Sequence, residues 1–159
     1  MIREILSLLA WIASSLAAGA IGGLASRGAP EFYAQLDRPP WAPPSWLFGP
    51  VWTTLYLLIG IAAWLVWRER RRVDVRPAIG LYVVQHVLNA LWTWIFFAWR
   101  QGGLALAEIV VLALLIVATM IAFARVQRVA ALLLVPYLGW VAFATALTAA
   151  LWRRNPTLL

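Results

Sequence analysis

Five long apolar runs, at about 5–26, 46–67, 78–99, 104–124 and 129–152, are separated by short polar stretches. Each run is about 20 residues or longer, enough at about 1.5 Å per residue to cross a hydrocarbon layer about 30 Å thick. Backbone polar groups find no water in lipid, so each run must be helical. The pattern predicts an all-α protein: one domain over 1–159, built as an integral membrane bundle of five transmembrane helices. The first run, from Ile5 to about Ser26, exceeds the apolar core of a secretory signal, about 7–15 residues, and is read as a span. A long loop over 27–45, RGAPEFYAQLDRPPWAPPS, joins the first two spans. Shorter basic connections follow: RERRRVDVRP at 68–77, RQGG at 100–103 and RVQR at 125–128. No internal repeat is evident.

Composition agrees with this reading. The 159 residues are 64% hydrophobic and only 12% charged, too few charges to cover a soluble domain. Mean hydropathy is +0.84. Cysteine is absent, which excludes disulfides, Cys-ligated metals and thiol catalysis. The net charge of +7 comes from 13 basic residues, all arginine, a bias that suggests a GC-rich bacterial coding genome. These arginines lie between the apolar runs, where they face lipid headgroups and set topology; no nucleic-acid partner is expected. Eight of them (Arg3, Arg68, Arg70, Arg71, Arg72, Arg76, Arg125, Arg128) fall on the face with the N-terminus, against five (Arg27, Arg38, Arg100, Arg153, Arg154) opposite. For inner-membrane insertion this makes the N-terminal face cytoplasmic. Inner and outer bacterial membranes both remain open as locations.

Polar residues within the spans are few and therefore informative. Gln85 and Asn89 are four apart on one helical face, which Trp92 continues. Such a face suits a flat ligand with polar edges, or hydrogen bonding between helices. His86 is the only histidine and reads as structural, because no second metal ligand lies near it in sequence; no metal site is expected. Glu108, about one turn into the fourth span, is placed to meet an arginine such as Arg100. Small residues recur every four positions (Ser15, Gly19, Gly23; Ala142, Ala146, Ala150), allowing close helix approach within the bundle or across a dimer seam.

Eleven tryptophans are a large excess. Trp67, Trp99 and Trp152 sit at span ends as interface anchors. Trp52 and Trp140 lie deeper. Trp52 shares a face with Tyr56, and Trp140 with Ala144, leaving room beside an indole for core packing or for a planar ligand. In RPPWAPPSWLFGPVW, Pro39, Pro40, Pro43 and Pro44 stiffen the end of the long loop. Ser45 is the expected N-cap of the second span. Pro50 is expected to leave the Trp46 carbonyl free and bend that span, with Trp52 pointing inward beyond the bend.

Three blocks, RPPWAPPSWLFGPVWTTLY, QHVLNALWT with IFFAWRQ, and VPYLGWVAFAT, resemble the signatures of the TspO/MBR family, in order and at matching spacings from about Gly19 to Asn155. That family comprises tryptophan-rich sensory proteins and the translocator protein, also called the peripheral-type benzodiazepine receptor. The resemblance implies a five-helix bundle, usually a homodimer, that binds porphyrins such as protoporphyrin IX and haem. No intrinsic cofactor is implied; the tetrapyrrole is a ligand. By position, Trp52, Asn89, Trp140 and Ala144 match family pocket residues. Gln85, Tyr56, Trp41 and Trp46 fall in matching blocks, and Phe123 stands where mammalian members carry another pocket tryptophan. Trp94 occupies a place usually held by proline and is expected to straighten the helix and crowd the pocket. Ala149 replaces the tyrosine of the cholesterol motif, so specific cholesterol binding is not expected.

Three functions follow as expectations. The first is a receptor or carrier for tetrapyrroles, with Arg27 or Arg38 pairing the propionates and the long loop acting as a lid. The second is light- and oxygen-dependent porphyrin degradation, in which Trp52 and Trp140 would be the reactive residues. The third is a structural or interaction protein whose aromatics merely pack. No nucleotide motif, general base or metal set favours catalysis.

Overall fold

The computed structural model describes residues 2–159. Its membrane-crossing helices are α1 (Ile2–Ala25), α3 (Phe48–Arg68), α4 (Arg76–Thr93) and α5 (Gly102–Val126), with the fifth crossing shared by α6 (Arg128–Leu133) and α7 (Val135–Arg154). α1 packs against α3 and α4, while α5 lies between α4 and α7. The main core gathers Ile59, Ala62, Ala63, Ile116 and Phe123, all fully buried. A second cluster at the opposite end joins Phe32, Tyr33 and Leu36 to Phe96, Leu147 and Leu151. Close approach of α1 to α3 depends on Gly60, where a Cβ would lie 2.8 Å from the Ile12 Cα and 3.0 Å from the Trp11 carbonyl oxygen.

The long connection 27–45 is partly helical. Residues Ala29–Gln35 form α2, with Pro30 in its first turn, where a missing N–H is tolerated. Its far end is tied to the C-terminus of α7. The Asp37 backbone N–H donates to Asn155 Oδ1 (2.8 Å), and Asn155 Nδ2 donates to the Asp37 and Leu151 carbonyls (3.1 and 2.9 Å). Arg154 adds an ion pair to Asp37 at 3.2 Å.

Several local expectations are corrected. Ser45 does not cap; it is the first residue of a 3-10 turn, Ser45–Leu47, that follows extended Pro44. Leu47 and Phe48 keep helical dihedrals (φ −70°, ψ −29° and φ −61°, ψ −42°). The chain therefore enters α3 through a tightened turn, and Pro50 falls in the first helical turn, where proline is accommodated. An interruption that the sequence reading did not place lies in the fifth crossing. Leu134 interrupts it, and Pro136 in the first turn of α7 removes the N–H that would have continued α6. Trp94 does not straighten its helix either. Residues Trp94–Ala98 form a π turn closed by the Trp99 N–H on the Trp94 carbonyl at 2.9 Å, so the helix widens without a proline.

Candidate functional site

α2 and the adjoining ends of four crossing helices enclose a cavity of about 300 Å³, partly open to the outside. α3 supplies Phe48, Trp52 and Tyr56; α4 and its π turn supply Trp92, Thr93 and Phe97; α7 supplies Trp140 and Ala144. α1 offers only glycines, Gly19, Gly22 and Gly23, with Ser26 just beyond its end, and α2 closes the top with Ala29, Pro30 and Tyr33. The asymmetry makes the space: bulky rings on three sides face a glycine wall on the fourth. Gly19 is sterically required, because a Cβ there would overlap the Tyr56 ring.

The aromatic walls brace one another. Trp52 stacks on Tyr56 (centroids 5.4 Å apart, planes at 28°) and meets Tyr137 edge-on at 6.2 Å. Trp92 stacks on Phe96 at 5.2 Å and 13°. Trp140 contacts Phe48 and Phe143 at 5.9 and 5.4 Å, and Trp41 extends the row at 5.9 Å from Phe143. Edge-on and offset contacts of this kind fix ring orientation. The wall is mostly apolar, with scattered hydroxyls. Among its indoles, the buried Trp92 Nε1 has no acceptor in the described residues. The Tyr33 hydroxyl donates to the Pro43 carbonyl at 3.0 Å. Burial raises the Tyr33 pKa, opposed in smaller measure by the nearby Arg38 cation.

Of the residues singled out from sequence, Trp52, Tyr56, Trp140 and Ala144 come together in this wall. Asn89 and Gln85 do not line it. Both are buried behind Tyr56, where a polar chain runs between helices. The Tyr56 hydroxyl is hydrogen-bonded to one end of the Asn89 amide, whose other end meets the Tyr137 hydroxyl at 3.2 Å. Tyr137 meets the Gln85 amide at 2.8 Å, and Gln85 meets His86 Nδ1 at 2.7 Å. Nδ1 also lies 2.8 Å from the Tyr82 carbonyl oxygen, and Nε2 lies 3.0 Å from Ser15 Oγ on α1. Both ring nitrogens of His86 are thus engaged within the protein.

Other expected residues lie elsewhere. Phe123 is fully buried near the far end of α5, one membrane face away from the cavity. Trp41 and Trp46 are half and largely exposed (50% and 71%), outside the wall. Neither Arg27 nor Arg38 lines the cavity. Arg27 is exposed, and the Arg38 guanidinium lies over the Tyr33 ring at 5.0 Å, beside a separate surface hollow at Leu36–Pro44. Arg100 does not pair with Glu108: it sits over the Phe32 ring at 4.6 Å, and both Glu108 oxygens are buried without a hydrogen-bond partner in the described residues. No group of three metal-ligating side chains occurs among the described residues. Sequence reasoning did not assign Phe48, Tyr33 or Phe97 to the site, and it noted Trp92 only as part of the amide face. Phe48 and Phe97 carry no spacing signal, and Tyr33 reaches the cavity only because loop residues fold into α2.

The TspO/MBR family model matches residues 11–153. The human translocator protein is 43% identical over 127 residues, covering 79% of this chain and 75% of that protein. A tryptophan-rich protein TspO of Chlorobaculum tepidum is 40% identical over 158 residues, 98% of this chain and all of the relative. A tryptophan-rich sensory protein of Cereibacter sphaeroides is 38% identical over 125 residues, covering 79% and 77%. The chain belongs to the TspO/MBR family and is a multi-pass integral membrane protein.

Proposed function

We propose that this protein is a membrane receptor or carrier that takes a planar tetrapyrrole, a porphyrin or haem, into the cavity beneath α2. The observation that carries the reading is the set of three indoles, Trp52, Trp92 and Trp140, brought by three different helices to one small apolar space. Flat aromatic walls recognise a flat conjugated ring by stacking, and the few polar groups orient its edges. At about 300 Å³ the cavity is at the small end for a ligand site, so a macrocycle would insert one edge and leave its remainder at the open side. A metal in the ring would find no imidazole in the wall, because His86 lies behind Tyr56 with both nitrogens engaged. Propionates, with no guanidinium in the wall, would point outward toward Arg27 and Arg38 at the loop face.

Quenching of tryptophan fluorescence by protoporphyrin IX tests the assignment. Wild type should quench saturably, and so should Trp46→Phe, which alters an exposed indole. A Trp52→Ala, Trp140→Ala double variant should lose the saturable phase. Identical saturation in that double variant and in wild type would sink the site.

A further inference from the structure

One line of aromatic rings leaves the cavity and runs through the bundle to the opposite membrane face. It starts at Trp52, stacked on Tyr56 at 5.4 Å. The Tyr56 ring lies 6.3 Å from the His86 ring, and His86 lies 4.2 Å from Tyr82. Tyr82 meets Trp11 edge-on at 5.4 Å, and Trp11 meets Trp67 at 5.5 Å. Trp67 is the second-last residue of α3, half-buried at the end remote from the cavity. The other two wall indoles have no such outlet. The rings against Trp140 are Phe48 and Phe143, and those against Trp92 are Phe96 and Phe97. Phenylalanine resists the oxidants that act on tryptophan and tyrosine, so only the line from Trp52 carries oxidisable side chains to the far face.

The members of the line differ in what they can hold. A phenol becomes a stable radical only by giving up its hydrogen. The Tyr56 hydroxyl donates to the Asn89 amide oxygen, which is not a base. Ser14 gives its own hydrogen to the Trp11 carbonyl at 2.8 Å, so Tyr82 donates to the Ser14 oxygen at 2.9 Å, again no base. Both tyrosines keep their hydrogens and, with His86, bridge the indoles. An indole can hold the oxidised state as a cation with its hydrogen in place. Positive charge inside lipid is costly and is driven toward the headgroup layer. There Trp67, with the Arg70 guanidinium over its ring at 4.8 Å, sheds the charge by releasing its indole hydrogen to water.

We propose that Trp52, Trp11 and Trp67 form a one-electron relay between the cavity and the opposite membrane face. Trp52 gives one electron to a light-excited tetrapyrrole in the cavity, which is reduced to its radical anion. Trp11 refills Trp52, Trp67 refills Trp11, and oxidised Trp67 loses a proton to water and becomes a neutral radical. A one-electron donor of the ascorbate class, with a proton from water, restores Trp67. The net reaction moves one electron from that donor to the ligand. Tetrapyrrole as the oxidant rests on the reading of the cavity proposed above.

A tethered oxidant tests the relay without using the cavity. The chain has no cysteine, so Thr53→Cys, exposed beside Trp52 and outside the wall, takes a single thiol-linked ruthenium polypyridyl dye. A flash in the presence of methyl viologen makes the dye a one-electron oxidant, and mass spectrometry then locates the oxidised tryptophans. Trp67 should be oxidised. Trp11→Phe should abolish oxidation at Trp67 while Trp52 is still oxidised, and Trp67→Phe, a change at the protein's edge, should shift the oxidation to Trp11. Trp64→Phe, which alters an indole outside the line, should change nothing. Oxidation confined to Trp52 in the labelled parent, or oxidation of Trp67 that survives Trp11→Phe, overturns the relay. Light and protoporphyrin IX in place of the dye separate the two readings. Trp67 oxidised by the dye but not by the porphyrin upholds the relay and overturns the cavity as the tetrapyrrole site.

Discussion

Gly19→Ala should damage both the fold and the cavity, through one methyl group. The added Cβ would overlap the Tyr56 ring, lying 2.7 Å from Cδ2 and 2.9 Å from Cζ, well inside the ordinary contact range of 3.4–4 Å. Tyr56 has little room to yield. Trp52 is stacked on it at 5.4 Å, and its hydroxyl is tied to Asn89. Overpacking a fixed ring costs about 1–3 kcal/mol. Losing the Tyr56–Asn89 bond adds about 0.5–1.5 kcal/mol. The alanine returns up to about 1 kcal/mol of helix propensity, leaving a net loss of about 0.5–4.5 kcal/mol. Ligand affinity should fall at least about tenfold, because the displaced ring either fills the cavity or tilts Trp52 out of the wall. Thermal unfolding in detergent, followed by circular dichroism, and a porphyrin titration check both effects. Gly23→Ala is the control: it lies on the same helix and the same wall, with open space around its Cβ position. Equal stability and affinity for Gly19→Ala and Gly23→Ala would refute the steric argument.

Gly60→Ala forces its methyl against the α1 backbone and should lower stability by about 1–3 kcal/mol, whereas Gly80→Ala, with nothing within 4 Å, should not; comparing their melting midpoints decides. Asn155→Ala removes the acceptor and donor that hold Asp37, at a cost of about 1–3 kcal/mol. It should loosen the lid, and stopped-flow release of bound porphyrin should accelerate. Because burial raises the Tyr33 pKa above its ordinary 10.0, the neutral phenol supports the lid below pH 10, and that support is lost as pH rises through the raised value. Tyr33→Phe should therefore flatten the alkaline fall of the melting midpoint.

The spans were legible because lipid imposes a length and an apolar composition that sequence displays directly. Local geometry was less so. Pro50 and Pro136 look alike in sequence. Both fall in the first turn of a helix, but Pro50 follows a single 3-10 turn and Pro136 follows α6, so the second interrupts a crossing at Leu134. At the site, tryptophan and tyrosine on one face of α3 were enough to place Trp52 and Tyr56. Gln85 and Asn89, read as one face suited either to a flat ligand or to hydrogen bonding between helices, lie behind the cavity wall and bond between helices. Two amides four residues apart show the face they share but not what faces them, and their partner, Tyr137, arrives from about fifty residues away. Phe123 lies outside the cavity for a related reason: position along α5 sets its depth in the membrane, and the cavity lies at the other end.

The buried amides explain why a cavity persists at all. In water, apolar walls around an empty space would be driven together. Between membrane helices that drive is weak, and packing and polar contacts hold the structure instead. Here the polar chain ties α3, α4, α7 and α1 together, running from Tyr56 through Asn89, Tyr137, Gln85 and His86 to Ser15. Moving any one of these helices inward to close the cavity would strand a buried donor or acceptor in a medium that cannot solvate it. The hydrogen bonds set the helix spacing, and the glycines of α1 keep that spacing from being filled. The wall in front can then be almost wholly aromatic, because polar groups one layer behind it already fix its geometry. Residues behind the wall therefore decide how the indoles in it are held.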